Sequence, residues 1–131
     1  MRHRVLIIDD DPDFIKIQKT ALEAGGFNVI TANDGDIGFE KANNENPDLI
    51  VLDIMMKSKT EGFFVAQKLQ HNQQTRQIPI IMLSGIREQM KLEQEFKPDE
   101  TYLPIRLFLE KPIFPSRLVE EAKKLLTENV K

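Results

Sequence analysis

The sequence predicts an α/β domain: a doubly wound, five-stranded parallel sheet with helices on both faces. Three observations point there. The runs Val5-Leu6-Ile7-Ile8, Leu49-Ile50-Val51-Leu52 and Ile80-Ile81-Met82-Leu83 are apolar without alternation, as in parallel strands covered on both faces. Between the runs, apolar residues return at helical spacing, so that strand and helix alternate along the chain. Each of these runs, and the shorter Leu107-Phe108-Leu109, ends on chemistry of another kind: Asp9 and Asp10, Asp53, Ser84 and Lys111. Parallel strands present their C-terminal ends on one edge, which is where open α/β sheets bind ligands.

Residues 4–9 form the first strand. Pro12 suits the first turn of a helix, with Asp11 ahead of it as a cap. Phe14, Ile17, Ala21 and Leu22 recur at helical spacing, and Gly25-Gly26 ends the helix. Residues 27–32 are a half-apolar second strand. Asp34-Gly35 reads as a turn, 37–44 as a short helix, and Asn46-Pro47-Asp48 as its break. The third strand, 49–53, leads through a loop to a helix at 62–70 with Phe63, Ala66 and Leu69 inward. Residues 80–84 are the fourth strand, 87–96 a charged, weakly amphipathic helix, and 107–110 the fifth strand. The last helix, 116–129, carries an apolar stripe of Leu118, Val119, Ala122, Leu125 and Leu126. The first, third and fourth strands are the most apolar and belong at the centre. The second and fifth belong at the edges, which gives the order 2-1-3-4-5.

The chain has 131 residues, the size of one domain, and we expect a single domain over 1–131. Charged residues make up 30% and hydrophobic ones 40%, a globular composition. A net charge of −3 argues against nucleic acid as a direct partner. With no Cys there is no disulfide, thiol nucleophile or thiolate metal site. No signal peptide or membrane span is visible, so a cytoplasmic protein without membrane contact is expected.

Asp9, Asp10 and Asp53 on one edge would repel one another unless compensated. A Mg²⁺ ion, hard and oxygen-seeking, is the natural compensation. The alternative reading is that the acids cap helices. It suits Asp11, but not Asp53, which lies between Leu52 and Ile54 in an apolar run. Lys111 supplies a point charge for phosphate oxygens and Ser84 a hydroxyl. Taken singly, Ser84 is a turn residue and Lys111 a surface lysine; their places at strand ends give them the sharper reading. A carboxylate nucleophile, a metal and a lysine suffice for phosphoryl transfer, which is mostly positioning and charge neutralisation.

The segments VLIIDDD (5–11), PDLIVLDIMM (47–56), PIIMLSG (79–85) and FLEKP (108–112) together resemble the receiver domain of two-component response regulators, the CheY-like family. They occur in the family's order and span nearly the whole chain. The resemblance implies the flavodoxin-like (βα)5 fold with the same strand order. It implies Asp53 as phosphoacceptor, with Mg²⁺ (or Mn²⁺) held by Asp9, Asp10, Asp53 and the Met55 backbone carbonyl. Ser84 becomes the switch hydroxyl, Lys111 the phosphate-neutralising cation, Phe108 the aromatic switch, and Lys111–Pro112 a cis bond. A histidine kinase or histidine phosphotransfer protein would donate the phosphoryl group in a phosphorelay. The receiving chain would then switch a protein-interaction face toward an unidentified downstream protein. Such a domain phosphorylates itself without turning over a free substrate, so it is not an enzyme in the ordinary sense. We expect no output domain and a monomer or weak dimer.

Departures from the family pattern are local. The usual Pro after the acceptor strand is absent, Gly62 comes late, and Lys57 and Lys59 stand in the 57–62 loop. That loop is either a solvated connection or one that tunes phosphate and partner binding. The stretch before Lys111 is lengthened over 96–104, where Tyr102 and Leu103 either pack back on the fourth helix or anchor a partner. Met55 and Ile86 hold the family's two lifetime positions, and neither can orient a water. The resemblance thus implies phosphate loss on the order of hours rather than seconds. Met56 reads as core, and His3 and His71 as surface residues outside any metal-spaced cluster. Two further functions remain open. A Mg²⁺-dependent aspartyl-phosphate phosphohydrolase would want a second acid two residues after its nucleophile, where this chain has Met55. A receiver-like scaffold that is never phosphorylated would have no use for the full set of acids, hydroxyl and lysine.

Overall fold

The computed structural model describes residues 2–54, 56, 61–84 and 105–128. Within them lie five strands and four helices in the order β1 (Arg4–Ile8), α1 (Pro12–Ala24), β2 (Asn28–Ala32), α2 (Gly35–Glu45), β3 (Leu49–Asp53), α3 (Glu61–His71), β4 (Ile80–Ser84), β5 (Ile105–Glu110) and α4 (Pro115–Glu128). The strands form one parallel sheet in the order β2-β1-β3-β4-β5. The expected helix at 87–96, the lengthened 96–104 segment with Tyr102 and Leu103, Met55, Ile86, and residues 57–60 with Lys57 and Lys59 lie outside the described residues.

The unbroken apolar runs work because the sheet has two covered faces. Side chains alternate across a strand. Leu6, Ile8, Ile50, Leu52, Ile80 and Met82 therefore face α2 and α3, joining Ala42, Phe63, Ala66 and Leu69. Val5, Ile7, Leu49, Val51, Ile81 and Leu83 face the other way, onto Leu22 of α1 and Leu118, Ala122 and Leu126 of α4. Each fully buried aliphatic side chain of this kind contributes about 1.5–3 kcal/mol, so both layers are held mainly through the three central strands. Met56 is half-buried against the α2/α3 side, in line with its reading as core.

Two local readings are corrected. Ile17 does not belong to the buried stripe of α1; it is 54% exposed. The inward face runs through Phe14, Ile15, Gln18 and Leu22, with Gln18 and Leu22 buried. Ile17 follows Ile15 by two residues, about 200° around the helix, and Gln18 takes the inward place. The second concerns α2, which starts at Gly35 rather than 37. Asp34 caps it, its Oδ1 accepting from the Ile37 N–H at 2.8 Å, so Gly35 is already helical. A Cβ at Gly35 would stand 2.5 Å from Val65 Cγ2, which leaves room there for hydrogen alone. The other ends differ from expectation by two residues or fewer, the usual uncertainty of helix and strand termini.

Candidate functional site

Asp9 is the first residue past β1. Its N–H still donates to the Ala32 carbonyl at 3.1 Å, which ties the end of β1 to β2. The side chain is fully buried, and both of its oxygens are engaged. Oδ1 accepts from the Asp11 N–H at 3.0 Å and Oδ2 from Lys111 Nζ at 3.1 Å. Asp11 in turn caps α1, accepting from the N–H groups of Asp13 and Phe14 at 3.0 and 3.3 Å. The three consecutive acids thus divide their work: Asp9 points inward, Asp11 caps, and Asp10 is exposed at the rim.

Asp53 is the last residue of β3, 4% exposed, and its Oδ2 lies 3.3 Å from Lys111 Nζ. Carboxylate oxygens of Asp9, Asp10 and Asp53 all fall within 4.8 Å of one another. Among the described residues the Lys111 ammonium pairs with two of these three acids, Asp9 and Asp53, and burial of like charges is costly without a partner. Burial pushes the Lys111 ammonium toward deprotonation, but Asp53 and then Asp9 outweigh it and hold its pKa above the ordinary 10.5. The donor set, three carboxylates drawn together at one sheet edge, is what a hard divalent cation takes. The fourth expected ligand, the Met55 carbonyl, lies outside the described residues.

The backbone delivers Lys111 to this place. Its N–H donates to the Ser84 carbonyl at 2.9 Å, extending the β4–β5 ladder by one bond, and the Lys111–Pro112 bond is cis as expected. Ser84 closes β4 and is 1% exposed, yet its Oγ has no hydrogen-bond partner among the described residues. A buried hydroxyl without a partner costs free energy. Phe108 sits on β5 opposite Met82, half-buried against the α2/α3 layer.

Two residues gain a role that the sequence did not disclose. Gly62 donates its N–H to the Ile54 carbonyl at 3.1 Å, and a Cβ there would stand 2.2 Å from the Asp53 carbonyl oxygen. The late glycine is therefore the point where α3 presses on the main chain at the end of β3. Phe14, read as core, also lays its ring 4.5 Å from Lys111 Nζ. Neither could be found by pattern, since each depends on a contact between distant segments. Of the histidines, His71 is exposed and His3 half-buried.

Comparison with known proteins agrees with this geometry. The family model described as response regulator receiver domain matches residues 5–123. The chain is 34% identical over 128 residues to the alkaline phosphatase synthesis transcriptional regulatory protein PhoP of Bacillus subtilis, covering 96% of this chain and 49% of that protein. It spans about half or less of the length of the curated relatives it matches. Among solved structures, the receiver domain of the Francisella response regulator 1452 is 26% identical with a TM-score of 0.80, over 99% of this chain and 100% of that one. The chemotaxis response regulator CheY4 of Vibrio cholerae is 25% identical with a TM-score of 0.80, over 95% and 98%.

Proposed function

Because this chain belongs to the receiver-domain family of response regulators, we propose that Asp53 is its phosphoryl acceptor and Asp9, Asp10, Ser84 and Lys111 its supporting groups. The observation that carries this reading is Lys111 Nζ, 3.1 Å from Asp9 and 3.3 Å from Asp53, with a buried Ser84 hydroxyl at the end of the neighbouring strand that has no partner among the described residues. An Asp53 carboxylate oxygen attacks phosphorus. The bond from phosphorus to the donor nitrogen breaks, and the leaving imidazole keeps the electron pair and takes a proton. Lys111 offsets the added charge, and Ser84 Oγ donates to a phosphoryl oxygen. Asp9, Asp10 and Asp53 would hold Mg²⁺ or Mn²⁺, which when bound supplies further neutralisation of the crowded acids.

The phosphoryl donor comes from another protein, a histidine kinase or phosphotransfer protein. His3 precedes β1, at the edge opposite Asp9, and His71 ends α3, roughly 15 Å of helix from the end that meets Ile54. Neither can reach Asp53. The output is a change of protein contacts, with Ser84 and Phe108 carrying the shift and an unidentified protein reading it. Among the described residues no helix is long and apolar enough to cross a membrane, which is consistent with a cytoplasmic setting for this exchange.

Acetyl phosphate with Mg²⁺ tests the proposal. The intact chain gains a single hydroxylamine-labile phosphoryl group, seen by mass spectrometry, while Asp53→Asn gains none. Equal incorporation in the Asn variant would move the acceptor elsewhere. Absence of both phosphorylation and beryllofluoride binding in the parent chain would leave a receiver-like scaffold. Sustained release of phosphate from small esters would point to a phosphohydrolase instead.

A further inference from the structure

The Lys111 ammonium has a third neighbour that no carboxylate chemistry requires. Its Nζ stands 3.1 Å from Asp9 Oδ2 and 3.3 Å from Asp53 Oδ2, and 4.5 Å from the centre of the Phe14 ring. These neighbours come from the end of β1, the end of β3 and the first turn of α1. Phe14 is itself fixed. Its N–H is bound by the Asp11 cap at 3.3 Å, and its ring is half-buried against the layer that contains Leu22 and Leu118. The Asp11 N–H donates to Asp9, so the loop that orients Asp9 also sets the start of the helix bearing the ring.

A lysine side chain is a flexible four-carbon stem with a strongly hydrated head. The Lys111 side chain is 29% exposed, so it has a way out to solvent. A ring face beside the ammonium attracts it and occupies space that water would otherwise fill. We propose that Phe14 is a positioning residue: its ring holds the Lys111 ammonium over Asp9 and Asp53, ready for the phosphoryl oxygens. The functional part of this rests on the reading of Asp53 as acceptor; the contact itself does not. Phe14 acts through Lys111 and touches no reacting atom.

The test uses the full chain and three variants at position 14. In ¹H–¹³C spectra, the Lys111 ε-methylene protons are expected upfield from the ring current. The shift persists in Phe14→Tyr and Phe14→Trp and disappears in Phe14→Leu, which keeps an apolar side chain but no ring. Beryllofluoride affinity in the presence of Mg²⁺, and the phosphorylation rate from acetyl phosphate, fall about three- to tenfold in Phe14→Leu. Both recover in Phe14→Tyr, while Mg²⁺ affinity stays that of the parent in all three. Loss in Phe14→Leu without recovery in Phe14→Tyr, or a Lys111 resonance indifferent to the ring, overturns the proposal in favour of plain packing. A parent chain that binds no beryllofluoride ends the acceptor reading and with it the functional role of the ring. The ring's hold on the ammonium is then decided by the Lys111 shift alone.

Discussion

Strand β1 carries charge at both ends, and the two ends are treated in opposite ways. At its start, the Arg4 N–H donates to Asp48 Oδ2 at 2.8 Å, the Asp48 N–H returns to the Arg4 carbonyl at 2.8 Å, and Arg4 Nη1 donates to the Glu45 carbonyl at 2.9 Å. These groups are exposed, the Asp48 carboxylate and the Arg4 guanidinium each meet a backbone partner, and water screens what remains. Just past its other end, buried Asp9 shares one lysine with buried Asp53, Asp10 adds a third carboxylate, and Ser84 Oγ lacks a partner among the described residues. The bonds of the first edge are made as it stands, whereas among the described residues the second gathers more acid than base and a donor with nothing to donate to. A fold keeps such an imbalance where a ligand or a modification will resolve it.

If the second edge is strained and the first is not, the largest effect should come from disturbing the main chain beneath the acids. Gly62→Ala places a Cβ 2.2 Å from the Asp53 carbonyl and 2.5 Å from Ile54 Cα, both backbone atoms with no side chain to swing away. The expected loss is about 3 kcal/mol or more, at the upper end of overpacking costs, read as a lower urea midpoint with unchanged slope. The end of β3 must shift, so phosphorylation slows as well. A variant with unaltered stability would mean that α3 slides freely on this edge.

Lys111→Met comes next. It takes the Lys111 cation from Asp9, with a side chain 1% exposed, and from Asp53, with one 5% exposed. Removing one partner of a fully buried pair costs about 3–5 kcal/mol. With the lysine itself 29% exposed the expected cost is nearer about 2–3 kcal/mol. Added Mg²⁺ should recover more stability in this variant than in the parent chain, since the Lys111 charge no longer offsets the acids.

How much of this was legible in the sequence follows from which forces act locally. β3 and β4 were readable to the residue, because a strand covered on both faces is apolar throughout and stops where the chemistry changes, at Asp53 and Ser84. That same change of chemistry made the convergence of Asp9, Asp10, Asp53, Ser84 and Lys111 legible. The division of labour among Asp9, Asp10 and Asp11 was readable only for Asp11, whose place before Pro12 marks a cap. Which neighbour turns inward depends on the loop closed by the Asp11 N–H on Asp9, and spacing carries no trace of it. The stripe of α1 was misread because an apolar Ile17 outweighs a polar Gln18 in any pattern count, although it is Gln18 that is buried and Ile17 that is exposed. Gly62 looked like a displaced turn residue. Its purpose shows only when the end of β3 lies beside it.

A smaller effect separates the edges by pH. Asp53 and Asp9 hold the Lys111 pKa above 10.5 in the folded chain in spite of burial. A raised lysine contributes stability that is complete below its unfolded value and is lost as pH rises through the folded one. In metal-free buffer, the stability gap between the parent chain and Lys111→Met should therefore be constant through neutral pH and narrow above about pH 10.5. The other lysines titrate in both proteins, so the difference isolates Lys111. A gap that narrows instead on acidification would assign the effect to the carboxylates.

The smallest effect belongs to the satisfied edge. Arg4→Ala removes the guanidinium that donates to the Glu45 carbonyl, but it keeps the Arg4 backbone N–H that bonds Asp48 Oδ2. The strand register is carried by main-chain bonds that the substitution leaves in place, among them Asp48 N–H to the Arg4 carbonyl. What is lost is one exposed charge-assisted bond, typically worth about 0.2–1 kcal/mol and weaker in salt. The variant should unfold at nearly the parental urea midpoint, with the residual difference vanishing at high ionic strength. Its Mg²⁺ affinity and phosphorylation should be those of the parent, because the whole length of β1 separates the two charges. A loss comparable to that of Lys111→Met would show that exposed pairing at the first edge holds the sheet as firmly as the buried cluster at the second, and the contrast between the two ends of β1 would fail.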